Sequence, residues 1–221
     1  MQVQTRFWSR LGGLAIVYAV LFLLANILQG STPSTGKNGA DVVTYYRAHK
    51  GSEIAAVFVL AMAAVAFTFF IAALRHALSR SAHGGGLATI VTAGGAVYVV
   101  GLLAMAAVTV ALVDAAHYQM NTAAQTLNVL SSDGWLPVVV GLSLIGLGTG
   151  VAGLRTATLP KWLAWVSIVF GILSVAGPLG EIAFLAAPVW AILVGITIMR
   201  GRNAGATAAE AAPVSYSPAN S

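Results

Sequence analysis

Apolar residues fill six stretches of this sequence, and polar or charged residues gather between them. The apolar stretches cover about 11–28, 53–74, 87–113, 135–154, 162–177 and 182–199. A helix of about 20 residues is roughly 30 Å long, which is the thickness of the hydrocarbon core of a bilayer. The pattern therefore predicts an all-α protein, an integral membrane bundle of six transmembrane helices.

The clearest of these stretches runs from Trp135 to Leu154 and contains no charged residue. A short basic turn follows it, in which Pro160 ends the helix between Arg155 and Lys161. Basic residues at the end of a span mark the cytoplasmic side. This segment predicts one complete span and also the side of the membrane on which that span ends.

The remaining segments complete the predicted domain, which covers residues 1–202. The first apolar stretch follows two arginines, as in a signal peptide, but its length and the lack of a small-x-small cleavage site predict an uncleaved span. The polar pieces ADVVTYYRAHK and TAAQTLNVL predict short helices between spans. The Ala-, Ser- and Pro-rich tail, residues 203–221, predicts a disordered cytoplasmic segment.

Composition agrees with a lipid environment. The chain is 58% hydrophobic and only 8% charged, whereas a soluble domain has about 25% charged residues. The eleven basic residues lie near span ends and do not cluster with aromatic residues, which indicates membrane topology and no nucleic-acid partner. The sequence has no cysteine, which excludes disulfides and thiolate chemistry.

The distribution of basic residues predicts the orientation. With a cytoplasmic N-terminus, eight basic residues lie inside and three outside; the eight are Arg6, Arg10, Arg75, Arg80, Arg155, Lys161, Arg200 and Arg202, and the three are Lys37, Arg47 and Lys50. Cytoplasmic loops carry the excess of basic residues. The count predicts that both termini are cytoplasmic, in a bacterial inner (plasma) membrane.

Small residues predict how two of the spans pack. Helices in lipid associate through close backbone approach, so small residues at helical spacing mark their interfaces. The fourth span carries one such stripe and the fifth span another; they are Ser143, Gly146, Gly150 and Gly153, and Ser167, Gly171 and Ser174. We expect these two faces to meet.

Polar residues at the outer ends of the spans are the candidate functional site. Helical spacing from small residues predicts that five of them line one outward-facing pocket: Asn26, Glu53, Asp114, His117 and Glu181. Carboxylates and an imidazole could bind a cation, a metal or a small polar ligand. The alternative is that they are ordinary boundary residues, since acids at helix N-termini, such as Glu53 and Glu181, offset the helix dipole.

Known chemical motifs are missing from the sequence. It contains no nucleophile elbow, zinc-binding HExxH, P-loop or dinucleotide fingerprint. No histidine lies mid-span, where haem ligation would need it, and no ionisable residue lies at mid-depth, where coupled transporters keep one. We therefore predict no catalytic, cofactor-binding or metal-binding residue and no cofactor.

Three segments together resemble a known family. They are TYYRAHKG after the first span, FFIAALRHAL at the end of the second, and GVAGLRTATLPKWLAWVSIVFGI in the late hairpin. In this order they resemble a large group of six-span bacterial proteins, common in actinobacteria, that share a domain of unknown function. The resemblance covers about residues 8–200 and implies a six-helix bundle in the plasma membrane, without a substrate or catalytic residues.

Three classes of function are compatible with the sequence. The first is a non-enzymatic membrane protein that binds or passes a small solute or lipid-like ligand, or that partners another membrane protein or a second copy. The second is a membrane-embedded hydrolase or metal-binding protein that uses the outer cluster of carboxylates and histidine. The third is a structural or regulatory membrane subunit. The distances among the outer polar residues distinguish the second class from the others.

Overall fold

A computed structural model describes residues 11–80, 85–156 and 158–210, with side chains up to residue 200. Within these ranges the chain is helical and contains no strand. The helices are α1 (Leu14–Gln29), α2 (Gly39–Ala48), α3 (Lys50–Leu78), α4 (Gly85–His117), α5 (Asn121–Asp133), α6 (Leu136–Thr156), α7 (Lys161–Ser174) and α8 (Leu179–Glu210). A helix occupies each of the six apolar stretches, and α2 and α5 are the two predicted short helices.

The six apolar helices pack as a ring in the order α1, α3, α4, α6, α7 and α8, with α8 returning to α1. Four candidate spans are long and apolar enough to cross a membrane: Lys50–Leu78, Gly85–His117, Asn121–Thr156 and Leu179–Arg200. The third of these joins α5 to α6. The protein is therefore an all-α bundle with the helices that a multi-pass membrane protein requires.

The other two apolar helices are shorter. The helix α1 has 16 residues and α7 has 14, which correspond to lengths of about 24 Å and 21 Å. Both lengths are below the roughly 30 Å of a bilayer core.

The small-residue stripes of α6 and α7 lie against each other. A Cβ atom added to Gly146 would be 2.8 Å from the Cα atom of Gly171 and 2.8 Å from the carbonyl oxygen of Ser167. A Cβ atom on Gly171 would be 2.9 Å from the carbonyl oxygen of Ser143. The two backbones therefore touch, and neither glycine leaves space for a side chain.

The same contact continues toward the turn between the two helices. A Cβ atom on Gly150 would lie 2.6 Å from the carbonyl oxygen of Ala164, and one on Gly153 would lie 3.1 Å from the Cβ atom of Ala164. At the other end of α7, Ser174 is buried and its hydroxyl donates to the carbonyl of Phe170. Small residues thus line the interface over most of the length of α7.

A second glycine contact joins α6 to α4 on its other side. A Cβ atom on Gly141 would be 2.5 Å from the backbone nitrogen of Tyr98 and 2.8 Å from the carbonyl oxygen of Gly94. Further along, a Cβ atom on Gly101 would be 2.9 Å from the backbone nitrogen of Val138. The helix α6 is therefore held closely on two faces, only one of which the small-residue pattern predicted.

Aromatic side chains fill the middle of the ring. The hydroxyls of Tyr18 and Tyr98 form a buried hydrogen bond of 2.6 Å, and the ring of Phe67 lies 4.7 Å from each tyrosine ring. On the other side of the core, the Trp190 indole donates to the Ser167 hydroxyl at 3.0 Å. We call Tyr18, Phe22, Phe67 and Tyr98 the aromatic layer.

The last helix is longer than expected. It continues to Glu210, so residues 203–210, which composition predicted to be disordered, are helical. An alanine-rich segment has a high helix propensity, which favours extension of a helix already anchored in the bundle. The rest of the predicted tail lies outside the described residues.

Candidate functional site

One end of the bundle is closed by a cap, which we define as residues 30–48 and 121–133. It contains α2, α5 and the loop before α2, and we call this end of the bundle the cap end. An apolar cluster joins the cap to the end of α4; its buried members are Val42, Val43, Tyr46, Leu112, Val113, Ala115, Ala116 and Ala124. The cap is thus packed onto the bundle by its own small core.

Polar contacts fasten the parts of the cap to each other. The buried side chain of Asn128 donates to the carbonyl oxygens of Pro33 and Ser34, each at 3.2 Å. Gly39, at the start of α2, lies directly on the backbone of Asn121, so that any side chain at this position would overlap it. The loop and both short helices therefore form one fixed unit.

Glu53 lies beneath this unit, in the first turn of α3, and is 0% exposed. Neither of its carboxylate oxygens has a hydrogen-bond partner in the described part of the chain. The nearby Tyr45 hydroxyl donates its one proton to the carbonyl oxygen of Gln29 at 3.1 Å. Burial raises the pKa of Tyr45, and the adjacent Glu53 carboxylate raises it further. A carboxyl group in such surroundings is costly to bury, so Glu53 is the least satisfied polar group of the cap end.

A cavity of about 280 Å³ opens beside the cap, and we call it the entrance chamber. Its lining residues come from α4, α5, α6, α8 and the turn before α8; they are Met105, Ser131, Ser132, Trp135, Val138, Val139, Gly177, Pro178, Glu181 and Phe184. Glu181 is the one charged residue among them. Its carboxylate has no hydrogen bond or ion pair to any other described residue. The chamber thus combines a free negative charge with an indole ring and two hydroxyls.

A smaller cavity of about 60 Å³, the inner chamber, adjoins the first. The two share Met105, Ser131 and Phe184 as lining residues. The inner chamber adds three polar side chains and several apolar ones: Asn26, Gln29 and Thr109, and Ala25, Ala56, Val57, Leu60, Leu102 and Ala106. Its volume and polarity suit one or more water molecules or a small polar group.

The aromatic layer closes the inner chamber toward the middle of the bundle. Phe22 contacts Phe184 edge-to-face, with ring centroids 4.9 Å apart. Tyr18, Phe67 and Tyr98 are packed behind Phe22 and are fully buried. A ligand that enters from the cap end therefore meets a wall of packed rings before it reaches the far half of the bundle.

The structure brings two of the five predicted pocket residues to the adjoining chambers. Asn26 lines the inner chamber and Glu181 lines the entrance chamber. Glu53 lies one helical turn before Ala56 and Val57, which line the inner chamber, but it is sealed under the cap. Asp114 and His117 are exposed and line neither chamber.

The position of Asp114 has a simple geometric reason. In the sequence, Asp114 continues a series of small residues that runs from Gly101 through Ala104, Ala107 and Ala111, mostly in steps of three residues, and this series was the basis for placing Asp114 in the pocket. Each such step turns the helix by about 300°, so the stripe drifts by about 140° around α4. Gly101 is buried, but Ala104, Ala107 and Asp114 are exposed, so the stripe does not stay on one buried face, and neither Asp114 nor His117 lines a chamber.

Several lining residues were not predicted from the sequence. Gln29 follows Asn26 by three residues, and Thr109 follows Met105 by four, so each pair shares a helical face. These spacings could have indicated the inner chamber. Ser131 lies in the last turn of α5 and Trp135 lies between α5 and α6, and the packing of the cap sets the position of both over the bundle.

Metal binding finds no support in this geometry. Among the residues that the structure describes, no three histidine, aspartate or glutamate side chains could hold a metal ion together. The alternative of a metal-dependent enzyme on the outer cluster therefore lacks the juxtaposition that it needs.

The chain matches no model of a known protein family, no characterised protein and no solved structure. The resemblance to six-span bacterial proteins thus stays a prediction.

Proposed function

We propose that all six apolar helices cross a bacterial plasma membrane, with both termini in the cytoplasm and the cap end outside. The basic residues support this orientation, because Arg75, Arg155 and Lys161 lie at the end opposite the cap. The six helices alternate in direction around the ring, since α1, α4 and α7 end near the cap whereas α3, α6 and α8 begin there, which agrees with this topology. The short helices α1 and α7 then cross with the help of the apolar residues that flank them and of local thinning of the bilayer.

Labelling of single cysteines tests this topology directly, since the chain has no native cysteine. An impermeant maleimide applied to intact cells is expected to label Gly36→Cys in the cap and Ala176→Cys in the turn before α8. Thr158→Cys, in the turn before α7, should react only after lysis. Equal labelling of Ala176→Cys and Thr158→Cys would mean that α7 does not cross, and the six-span proposal would be wrong.

We further propose that the protein is not an enzyme and that its entrance chamber binds a small organic cation from the outer side. The observation that supports a cation site is the unpaired Glu181 carboxylate, which lies in a chamber that has no cationic lining residue. The aromatic residues Trp135 and Phe184 line the same chamber, and aromatic rings attract cations through their π faces. The apolar lining suits the carbon atoms of such a ligand.

Binding is favoured over passage by the aromatic layer. The chambers end at packed rings, and no charged residue of the described spans lies at the level of Tyr18 and Tyr98 to carry a coupled ion. A cation that enters from outside would therefore stop in the chambers. This is consistent with a receptor-like or accessory role in which occupancy of the outer site is the functional event.

Choline is a suitable probe because it has an uncharged counterpart of the same shape, dimethylbutanol, in which carbon replaces the charged nitrogen. Isothermal titration of the purified chain in detergent should detect choline and not dimethylbutanol. Glu181→Gln should weaken choline binding about tenfold, since it removes the charge and keeps the shape.

Asp133→Asn provides the matched control. Asp133 is an exposed acid at the same end of the bundle, in the last turn of α5, and it lines neither chamber. Its loss should leave choline binding unchanged. Equal weakening by both variants, or equal binding of choline and dimethylbutanol, would contradict a cation site at Glu181.

A further inference from the structure

A lateral groove of about 710 Å³ lies between α3 and α4 in the half of the bundle away from the cap. On the α4 side its wall is built largely from small residues, among them Gly85, Ala88, Gly95 and Ala96. Near the middle of the groove the two helices touch, since a Cβ atom on Gly95 would lie 2.8 Å from Ile71. The groove is therefore a shallow channel along the outer surface of the helix pair, and it is separate from the two chambers.

The groove has the length of one membrane leaflet. Its lining runs from Thr68 to Ser79 on the α3 side, a rise of eleven helical steps or about 16 Å, and from Gly85 to Val100 on the α4 side, a rise of fifteen steps or about 22 Å. Half of a roughly 30 Å hydrocarbon core is about 15 Å. A single acyl chain could thus lie along the groove from its polar end to the middle of the bilayer.

The two ends of the groove differ in polarity. Arg75, His76 and Ser79 line the end near the C-terminus of α3, and Val99 and Val100 line the deeper end. A cation near a helix C-terminus also offsets the helix dipole, so Arg75 alone would not indicate a ligand. An exposed arginine at the head of an apolar channel, however, matches an occupant with an anionic head and a hydrocarbon chain.

We propose that this groove binds one anionic phospholipid, with its phosphate at Arg75 and one acyl chain along the small residues of α4. Under the proposed topology the lipid belongs to the cytoplasmic leaflet, whose anionic headgroups attract basic side chains. This site does not depend on the outer chambers, so failure of choline binding would leave it unaffected.

Native mass spectrometry of the delipidated chain tests the proposal with two probes that have the same acyl chains, dioleoyl phosphatidylglycerol and dioleoyl phosphatidylcholine. One bound phosphatidylglycerol per chain is expected, in preference to phosphatidylcholine. Arg75→Gln should reduce phosphatidylglycerol binding about fivefold, the effect of one basic residue on an anionic headgroup, and should reduce phosphatidylcholine binding less, because the choline of that lipid already offsets its phosphate charge. Arg155→Gln removes an exposed basic residue at the same end but outside the groove, and should have no effect.

Two phenylalanine variants, one inside the groove and one outside it, test where the acyl chain lies. Ala96 and Ala93 are both exposed on α4, but only Ala96 lines the groove. Ala96→Phe should abolish binding of both lipids, whereas Ala93→Phe should not. Equal binding of the two lipids by the unmodified chain, equal effects within either pair of variants, or a dimer that buries the groove would overturn the proposal. Because the arginine variants change only exposed side chains, the test stands even if Ala96→Phe fails to fold.

Discussion

Gly146→Leu is expected to destabilise the bundle by roughly 3 kcal/mol or to prevent its assembly. Overpacking a tight core costs about 1–3 kcal/mol, and the cost is at the upper end here because the obstacle is backbone and cannot rotate away. A Cβ atom alone would lie 2.8 Å from the Cα and backbone nitrogen of Gly171. The four-carbon side chain of leucine can be accommodated only if α6 and α7 separate.

Thermal unfolding in detergent, followed by circular dichroism, measures this effect. Gly51→Leu is the control, since Gly51 is also helical, lies in the first turn of α3, and has open space where its side chain would be. The unfolding temperature of that variant should equal or slightly exceed that of the unmodified protein, because leucine is a better helix former than glycine. Identical midpoints for the two variants would refute the close contact of α6 with α7.

Glu53→Met is expected to act in the opposite direction and to stabilise the protein by about 1–4 kcal/mol. Replacement of a buried charge by an apolar residue of similar volume removes a desolvation cost that no hydrogen bond to a described residue offsets. Methionine matches glutamate in length and adapts to irregular spaces.

The same unfolding assay provides the measurement, with Asp114→Met as its control. Asp114 is an exposed acid at the neighbouring end of α4, and exposed sites usually change stability by less than about 0.5 kcal/mol. A loss of stability in Glu53→Met would mean that the carboxyl group has a strong partner in the folded protein, contrary to the geometry described above.

Helix packing was the feature that the sequence predicted best. The stripe from Ser143 to Gly153 was visible because its residues recur at helical spacing on one face, and the structure places it on α7. The contact of Gly141 with Gly94 was not predicted, because α6 carries glycines on more than one face and the sequence does not say which helices flank it. The order of helices around the ring is a tertiary property that local spacing does not contain.

The candidate site was less predictable for related reasons. Asn26 was placed correctly on an inward face because Ala15 and Ala19 repeat at nearly whole turns of α1. The stripe toward Asp114 failed since its three-residue steps drift around the helix. The burial of Glu53 depends on α2 folding back over it, which is decided by the apolar cluster between α2 and α4 and by the Asn128 contacts.

The hydrogen bond between Tyr18 and Tyr98 has a consequence for what the bundle can accept. Two phenol groups that share one bond use only one of their two hydrogens, and no other described residue accepts the second. The centre of the bundle thus retains one unsatisfied donor in an otherwise hydrocarbon setting. A water molecule that passed Phe22 would be able to accept this second hydrogen, so the tyrosine pair is the point in the aromatic layer at which water would gain a hydrogen bond.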